Sequence, residues 1–462
     1  MPASSADVPQ SPSVIPYAEL SKHTTRDSLW ILIDDTVYDV TELLESHPGG
    51  TGPLLKYAGK DATTAFAPIH PPGTLDTLPV KAVLGKVDKT TAPTTKERPT
   101  EEELRMQKAR HALPSPGAVL NLREIEQLAE GVLSATAWGY YRSAGDDELT
   151  FDENRAAFTR FWFRPRLFGH PSSLPIFICP AALARLGHPD GEMNMVRAAG
   201  KAGILQGVSN NASCSTAEIM SAKLPGQPLL FQLYVNRDRP ATEKLLAELK
   251  DVGYSGIMLT VDAAVPGKRE RDQRAKGDFV GTSSTGSGVG GVAHAISGYQ
   301  DPDVCWEDIP WIRRFTDLPL IVKGIQCVED AEIALDKYHV DGIILSNHGG
   351  RELDFAPAAV TVLYELHLQR PDLLRKHEVY IDGGVTRGTD VLKALCLGAR
   401  GVGLGRAFLY GNALWGEEGC QRVIEIMREE ILTGMRLMGV TRLEQLGPGL
   451  VRHVGEVGRA RL

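Results

Sequence analysis

The sequence lacks the features that would place it among disulfide-stabilised, membrane-spanning or secreted proteins. Its six cysteines contain no C-x-x-C spacing, which in a chain of 462 residues indicates reduced thiols in a cytosol-like compartment. No apolar run approaches the roughly 18 residues needed to cross a bilayer, so we expect no transmembrane segment. The first twenty residues contain no Lys or Arg, and we therefore expect neither a secretory signal nor a mitochondrial transit peptide.

Positive charge is also scarce. Lys and Arg number 50 against 58 Asp and Glu, which gives a formal net charge of −8. Because a nucleic-acid surface needs concentrated Lys and Arg to displace counterions, we expect no nucleic-acid partner. With 42% hydrophobic residues the composition is that of an ordinary globular protein, and it excludes collagen-like and wholly disordered chains.

Composition divides the chain into four parts. Residues 1–12 are rich in Pro, Ser and Ala and predict a disordered tail. Residues 13–88 predict a compact first domain. Residues 89–108 begin with the polar, Pro-containing segment KTTAPTTKERPTEEE and predict a linker. Residues 109–462 form the second domain, which is long enough for a large barrel.

The second domain contains eight short apolar runs, each suited to a strand that is buried on both faces. These runs are 176–182, 203–209, 229–235, 256–262, 319–324, 342–347, 379–384 and 401–406. Helix-length stretches lie between most of them, and strands that alternate with helices require a parallel sheet. Eight such units predict an α/β fold of the closed (β/α)8 type, the TIM barrel, with an open doubly wound sheet as the alternative. Most runs end in polar residues, which points to one pocket at the carboxyl ends of the strands.

In the first domain, His47 and His70 lie on loops between short helices. This domain has no cysteine, so a thiolate zinc or iron–sulfur site is excluded. The residues VYDVT at 37–41, followed by HPGG at 47–50, resemble the haem-binding signature of the cytochrome b5 family. That resemblance implies a small α+β domain in which His47 and His70 are the axial ligands of haem b. Two imidazole ligands leave no open iron position and suit one-electron transfer.

In the second domain, SNHGGR at 346–351 follows the sixth predicted strand. His348 can accept a proton there while Arg351 binds a carboxylate, although a solvated Gly-rich turn is an equally good interpretation of this segment alone. Gly-rich turns follow the last two strands, where barrels commonly bind phosphate. Lys323 places a cation inside the barrel mouth and needs an anionic partner, for which a reduced flavin is suitable.

Together, SNHGGR, TVD, QLYV, IVKG and DGGVTRGTD resemble the FMN-dependent L-2-hydroxy acid dehydrogenase and oxidase family over residues 110–445. By this resemblance the catalytic set comprises the base His348, its carboxylate partner Asp262, the substrate-carboxylate ligands Arg351 and Tyr140, Tyr234 near the substrate hydroxyl, and a second arginine, Arg269. The residues that it implies for FMN are Pro180, Ala181, Ala182, Ser209, Gln232, Thr260, Lys323, Asp382, Gly383, Gly384, Arg387, Gly405 and Arg406.

Two positions depart from the family pattern. Thr386 stands where the family usually has the first of two arginines, so we expect FMN to be held less tightly. Asn211 stands where the family presents an apolar or aromatic residue to the substrate side chain. A polar residue there makes plain L-lactate a doubtful substrate and admits a larger or more polar 2-hydroxy acid.

With a haem domain ahead of the barrel, the chain is similar to the flavocytochrome b2 family. This implies oxidation of an L-2-hydroxy acid by FMN, with electrons passed through haem to a cytochrome c-like acceptor, by a homotetramer. Two alternatives stay open: an oxidase that uses O2, and a haem electron-carrier module on an inactive barrel. We expect a cytoplasmic location, with the peroxisome as the alternative, because 460–462 (ARL) are chemically close to the peroxisomal address SKL.

Overall fold

The structure is a computed structural model in which the described residues are 13–67, 69–70, 73–91, 99–157, 161–163, 167–168, 172–275 and 298–454. The chain folds as two compact units, of which the first ends at Thr100 and the second begins at Glu101. The predicted disordered tail 1–12 and the predicted targeting tripeptide 460–462 lie outside the described residues. Among the described residues, no helix combines the length and apolar character that membrane crossing requires.

The first unit is a five-stranded sheet of order β1-β5-β4-β3-β2 with short helices against it. Its strands are β1 (Ser13–Pro16), β2 (Thr24–Thr25), β3 (Ser28–Ile33), β4 (Thr36–Asp39) and β5 (Val83–Asp88), and its α-helices are Tyr17–Leu20, Thr51–Lys56 and Thr63–Phe66. Asp34 and Asp35 both have positive φ, 47° and 68°, as the two-residue turn of a hairpin requires. β3 buries Leu29, Ile31 and Ile33 in the core of this unit.

The segment between the units differs from the prediction. The linker was predicted to extend to residue 108, but an α-helix runs over Glu101–His111. Three glutamates occupy its first turn and basic residues its last, which complements the helix dipole. Arg105 donates hydrogen bonds to the carbonyls of Gly131 and Leu133, at the end of a neighbouring helix. These contacts attach residues 101–108 to the second unit.

The second unit is a closed barrel of eight parallel strands, which excludes the open sheet. The barrel strands are β8 (Ile176–Ile178), β9 (Leu205–Ser209), β10 (Leu229–Leu233), β11 (Gly256–Thr260), β12 (Leu320–Ile325), β13 (Gly342–Leu345), β14 (Glu378–Asp382) and β15 (Gly401–Leu404). Closure occurs where β15 pairs with β8, with Val402 opposite Ile176. Every residue of β10, β11, β13 and β15 is buried, in agreement with the continuous apolar runs of the sequence.

Helices surround the barrel. Its α-helices in the described residues are Glu101–His111, Leu122–Val132, Ala135–Arg142, Leu149–Ala157, Glu192–Ala202, Thr216–Ala222, Arg239–Val252, Glu270–Ala275, Asp308–Ile312, Val328–Glu332, Ala359–Gln369, Pro371–Lys376, Gly388–Cys396, Arg406–Trp415 and Glu417–Leu437. Two short antiparallel pairs complete the unit: β6 (Phe161–Phe163) with β17 (Val451–His453), and β7 (Leu167–Phe168) with β16 (Glu444–Gln445).

The strand register determines which side chains meet at the barrel mouth. Ser209 of β9 lies opposite Gln232 of β10, and Thr260 of β11 lies opposite Lys323 of β12. All four are polar residues at or near the carboxyl ends of strands that are otherwise apolar. Because the strands are parallel, these ends share one rim of the barrel, where sites of this fold are built.

Candidate functional site

A cavity of about 400 Å³ opens at this rim of the barrel. The predicted site residues that line it are Tyr140, Pro180, Ala181, Ala182, Ser209, Gln232, Tyr234, Thr260, Arg269, Lys323, His348, Arg351, Asp382, Gly383, Gly384, Arg387, Gly405 and Arg406. The remaining barrel residue of the predicted set, Asp262, lies directly behind His348. The structure therefore brings the predicted catalytic and FMN-binding residues together at one place.

His348 and Asp262 form a hydrogen-bonded pair. His348 Nδ1 lies 2.7 Å from Asp262 Oδ1, and the Asp262 side chain is 1% exposed. Burial acts to raise the pKa of Asp262, but the charge of Lys323 and the hydrogen bond with His348 outweigh it and hold the pKa at about 2. Gly324 packs closely against Asp262, since its φ is +117° and an added Cβ there would lie 2.7 Å from the backbone nitrogen of Asp262. Asp262 is thus a permanent carboxylate that fixes the orientation of the imidazole.

The loop that carries His348 is held by a pair of amides. Asn154 Nδ2 donates to Asn347 Oδ1 at 2.9 Å, and Asn347 Nδ2 donates to Asn154 Oδ1 at 2.7 Å. Asn347 Oδ1 also accepts the backbone N–H of Gly350 at 3.1 Å. The backbone of His348 has a positive φ of 56°, which is uncommon for a residue other than glycine. Asn154 was not predicted from the sequence.

Arg351 brings an uncompensated cation to the cavity. Its Nη1 donates to the backbone carbonyls of Tyr140 and Tyr141, at 2.9 and 3.3 Å, and its guanidinium lies 5.1 Å from the centre of the Tyr140 ring. Within the described parts of the chain it contacts no carboxylate. Burial lowers the pKa of Arg351, and nearby Arg269 lowers it further. A buried cation in these surroundings requires an anionic ligand, which a substrate carboxylate supplies.

Arg269 is held differently, by a residue that was not predicted. Its Nε donates to the backbone carbonyl of Arg351 at 3.0 Å, and its Nη2 forms a buried ion pair with Glu352. Glu352 directly follows Arg351 in the sequence, so its charge was visible there. The sequence does not show, however, that Glu352 pairs with Arg269, which lies 83 residues away.

Two polar atoms fit a flat heteroaromatic ring in the barrel mouth. Gln232 Nε2 and Thr260 Oγ1 are buried, and no hydrogen-bond partner for them occurs among the described residues. Beside them, Lys323 Nζ lies 2.8 Å from Ser346 Oγ and 3.2 Å from Asp382 Oδ2. Burial acts to lower the pKa of Lys323, but its carboxylate neighbours raise it, so the cation persists. The carbonyl and nitrogen edge of a flavin would satisfy these donors, so the residues present fit FMN.

A second part of the cavity lining, at Arg406, fits a phosphate. Among the residues that the structure describes, Arg406 donates to the backbone carbonyls of Tyr141, Gly349 and Ser143 and to no side chain. Burial, together with the charge of Arg351, lowers the pKa of Arg406 to about 9. Arg406 also begins the helix Arg406–Trp415, whose N-terminal dipole favours an anion. A phosphate bound here would balance both the charge of the Arg406 side chain and the positive end of the helix dipole.

Arg387 and Thr386 are partly used by the protein itself. Arg387 is half exposed, and its Nη1 lies 2.6 Å from Glu430 Oε1. The backbone N–H groups of Thr386 and Arg387 both donate to Asp390 Oδ2 at 3.0 Å. Arg406 is therefore a better-placed phosphate anchor than Arg387. The expectation that Thr386 weakens FMN binding stays a prediction.

In the first unit, the rings of His47 and His70 lie with 6.0 Å between their centres and with their planes tilted by 31°. Two metal–nitrogen bonds of about 2.0–2.1 Å plus the two ring half-widths require about 6 Å, so one iron fits between them. The Nδ1 atoms lie 3.0 and 3.1 Å from the backbone carbonyls of Gly50 and Phe66, which makes Nε2 the nitrogen that can bind iron. A Cβ added at Gly49 would lie 2.8 Å from His47 Cε1, so glycine permits this ring position. These residues fit a haem.

Two family profiles match the chain. The FMN-dependent dehydrogenase family matches residues 129–453. The cytochrome b5-like heme/steroid binding domain matches residues 16–88. The two matches agree with the two units of the structure and with the positions of the two sites.

Individual relatives match over most of the chain. The chain is 40% identical to an L-lactate dehydrogenase (cytochrome) of Wickerhamomyces anomalus over 97% of its own length and 81% of the relative. It is 38% identical to the protein of the same name in Saccharomyces cerevisiae, over 94% and 79%. The flavin-binding domain of baker's yeast flavocytochrome b2 superimposes with a TM-score of 0.69 at 38% identity, covering 76% of this chain and 91% of that one.

Proposed function

This chain belongs to the FMN-dependent dehydrogenase family, in the flavocytochrome b2 arrangement, and on that premise we propose that the barrel cavity oxidises L-lactate or a more polar L-2-hydroxy acid. The protein is an oxidoreductase that uses FMN in the barrel and haem b in the first unit. The observation that carries the substrate class is the His348–Asp262 pair in the same cavity as the uncompensated Arg351. The base His348 and the cation Arg351 match the hydroxyl and the carboxylate of a 2-hydroxy acid.

Each part of the substrate has a residue suited to it. Arg351 and Tyr140 would bind the carboxylate. Burial raises the pKa of Tyr234 well above its usual value, so its hydroxyl stays protonated and would donate to the substrate oxygen. His348 would accept a proton at Nε2 while Asp262 stabilises the resulting imidazolium through Nδ1. Bound FMN supplies the two-electron oxidation and haem the one-electron transfer to an acceptor.

Anaerobic stopped-flow absorbance tests the proposal. Mixing with an L-2-hydroxy acid should bleach the flavin first and reduce the haem afterwards. An unreduced haem in that experiment, together with O2 consumption in a parallel aerobic assay, would instead indicate an oxidase, in which the haem has no part. Failure of every 2-hydroxy acid to bleach the flavin would contradict the substrate class altogether.

The side-chain wall of the cavity favours a polar substrate. Asn211 lines the cavity and is 7% exposed, and its Oδ1 accepts from the Tyr299 hydroxyl at 2.8 Å. Asn210 Nδ2 donates to that hydroxyl at 2.7 Å, so the Asn211 amide is held in place. If the substrate side chain is apolar, the buried Asn211 amide loses a hydrogen bond. A neutral oxygen on the substrate side chain would supply one.

We expect Asn211→Leu to reverse the substrate preference. The unmodified protein should bleach its flavin faster with L-glycerate than with L-2-hydroxybutyrate, and the variant should show the opposite order. The ratio of the bleaching rates with L-glycerate and L-2-hydroxybutyrate should differ by about tenfold between the unmodified protein and the variant, since one apolar or hydrogen-bonding contact discriminates by that order. Leu205→Val, a change at a partly buried barrel position outside the cavity lining, is the control, and equal ratios in all three proteins would show that Asn211 does not contact the substrate.

The acceptor is proposed to be a basic cytochrome c. Residues 13–88 contain ten acidic and six basic side chains, a net charge of −4. Opposite charges would steer association, and such steering raises rates by roughly 10–10³-fold. Raising the ionic strength from about 0.01 M to 0.15 M shortens the screening length from roughly 30 Å to 8 Å. The second-order rate of cytochrome c reduction should then fall several-fold while flavin bleaching stays constant; a flat profile would exclude steering.

Assembly and location are proposed on sequence grounds alone. We propose a homotetramer, which a sedimentation mass of one, two or three chains would contradict. We propose a cytoplasmic location with residues 460–462 as the competing peroxisomal address. A fluorescent protein that ends in the last ten residues of this chain distinguishes the two by its distribution in cells.

A further inference from the structure

Glu352 is a buried carboxylate in the cavity that the proposed reaction does not use. Its side chain is 9% exposed and that of its partner Arg269 is 7% exposed. One carboxylate oxygen accepts from Arg269 Nη2, and the other accepts the backbone N–H of Gly267 at 2.5 Å. Taking a carboxylate out of water is costly unless charge and hydrogen bonds replace the water, and here both do. The pair also joins the loop after β11 to the loop after β13.

Arg269 and Arg351 both line the cavity, but their positive charges are balanced differently. The charge of Arg269 is balanced by Glu352, whereas Arg351 donates to backbone carbonyls, lies over the Tyr140 ring and contacts no carboxylate in the described parts of the chain. They are close enough to interact, because Arg269 contributes to the lowered pKa of Arg351 while Glu352 acts in the opposite direction. Asp272 also acts on both arginines, but it does not line the cavity. The cavity lining here thus presents two cations, Arg269 and Arg351, and one anion, Glu352, to a ligand.

We propose that Glu352 is a specificity-determining residue, which selects 2-hydroxy acids with one carboxylate against those with two. The inference rests on the proposed function and deepens it. A first carboxylate binds Arg351. A second carboxylate placed near Arg269 meets the negative charge of Glu352, and like charges brought together in a dry site repel strongly. Together, the negative charge of Glu352 and the neutral amide of Asn211 favour a substrate whose side chain is polar but uncharged.

The test compares Glu352→Gln with the unmodified full-length protein. Glutamine keeps the shape and one acceptor oxygen for Gly267 or Arg269 but removes the charge. We expect the ratio of kcat/KM for L-malate to that for L-lactate to rise about tenfold or more, as removal of one buried charge implies. Titration with oxalate, followed by perturbation of the flavin absorbance, should show a comparable gain in affinity that does not depend on turnover.

Two variants provide the controls. Glu352→Asp keeps the charge and should keep the preference for the monocarboxylate. Glu148→Gln alters another carboxylate with little exposure, paired with Arg142 and Arg271 outside the cavity lining, and should leave the ratio unchanged. A change in Glu148→Gln as large as that in Glu352→Gln would reduce the effect to a general one of net charge and would overturn the proposal.

Other outcomes separate this inference from the proposed function. If L-lactate bleaches the flavin and Glu352→Gln leaves both the ratio and the oxalate affinity unchanged, the selection by Glu352 is wrong while the function stands. If that variant does not fold, the unmodified protein still tests the selection by Glu352. A kcat/KM for L-malate that lies within tenfold of the value for L-lactate would contradict it. If no 2-hydroxy acid bleaches the flavin, the proposed function itself fails.

Discussion

Replacement of His348 by Gln should abolish flavin reduction by substrate while the flavin and haem spectra stay unchanged. Among the described cavity residues, His348 combines a ring nitrogen facing the cavity with a carboxylate partner 2.7 Å away on its other side. Glutamine is similar in size and can donate to Asp262, but it cannot accept a proton at neutral pH. Loss of a general base typically costs roughly 10²–10⁴-fold in rate, so the stopped-flow bleaching should fall by at least that factor.

The experiment needs a control that separates chemistry from folding. His339→Gln changes an exposed histidine outside the cavity lining that also has a positive φ, 49°, and bleaching should then proceed at the normal rate. FMN content, measured after denaturation, should be equal in the three proteins. Bleaching of His348→Gln within tenfold of the unmodified rate would show that another group accepts the proton.

The barrel was predictable because its strands are buried on both faces and read as uninterrupted apolar runs. The run 229–235 corresponds to β10 and the run 256–262 to β11, although both strands end two residues earlier than the runs. The extra residues belong to the loops that build the cavity, where tertiary contacts instead of sheet pairing bury the Asp262 side chain and partly bury Tyr234. Hydrophobicity cannot distinguish these two kinds of burial.

The supporting contacts of the site could not be predicted from the sequence. The amides of Asn154 and Asn347 pair across 193 residues, and the ion pair of Arg269 and Glu352 joins two separate loops. Each residue alone is typical of a solvated surface, and only the fold shows that its partner is buried with it. The helix at Glu101 was assigned to a linker for the same reason: its residues are polar, and what orders them is the contact of Arg105 with a neighbouring helix.

His70→Ala should remove the haem and leave flavin reduction by substrate intact. The iron would lose one of two axial nitrogens, and the Phe66 ring, stacked 4.1 Å from the His70 ring, would lose its partner. Since loss of a residue that merely supports a ligand costs about 10–100-fold in metal affinity, loss of the ligand itself should cost more. The haem Soret band should disappear from the purified protein, and the rate of cytochrome c reduction should fall to the background.

The flavin provides the internal standard for this variant. His70 belongs to the first unit, which ends at Thr100, whereas the FMN cavity is built from residues of the second. Bleaching by substrate should therefore keep its normal rate, and the bleached flavin should stay reduced because its electrons have no route to cytochrome c. His23→Ala, a change at a partly buried histidine of the same unit that is stacked on Trp30 away from His47 and His70, should keep the haem. Loss of the flavin signal together with the haem would show that the two units do not fold independently, and a retained Soret band would exclude His70 as an axial ligand.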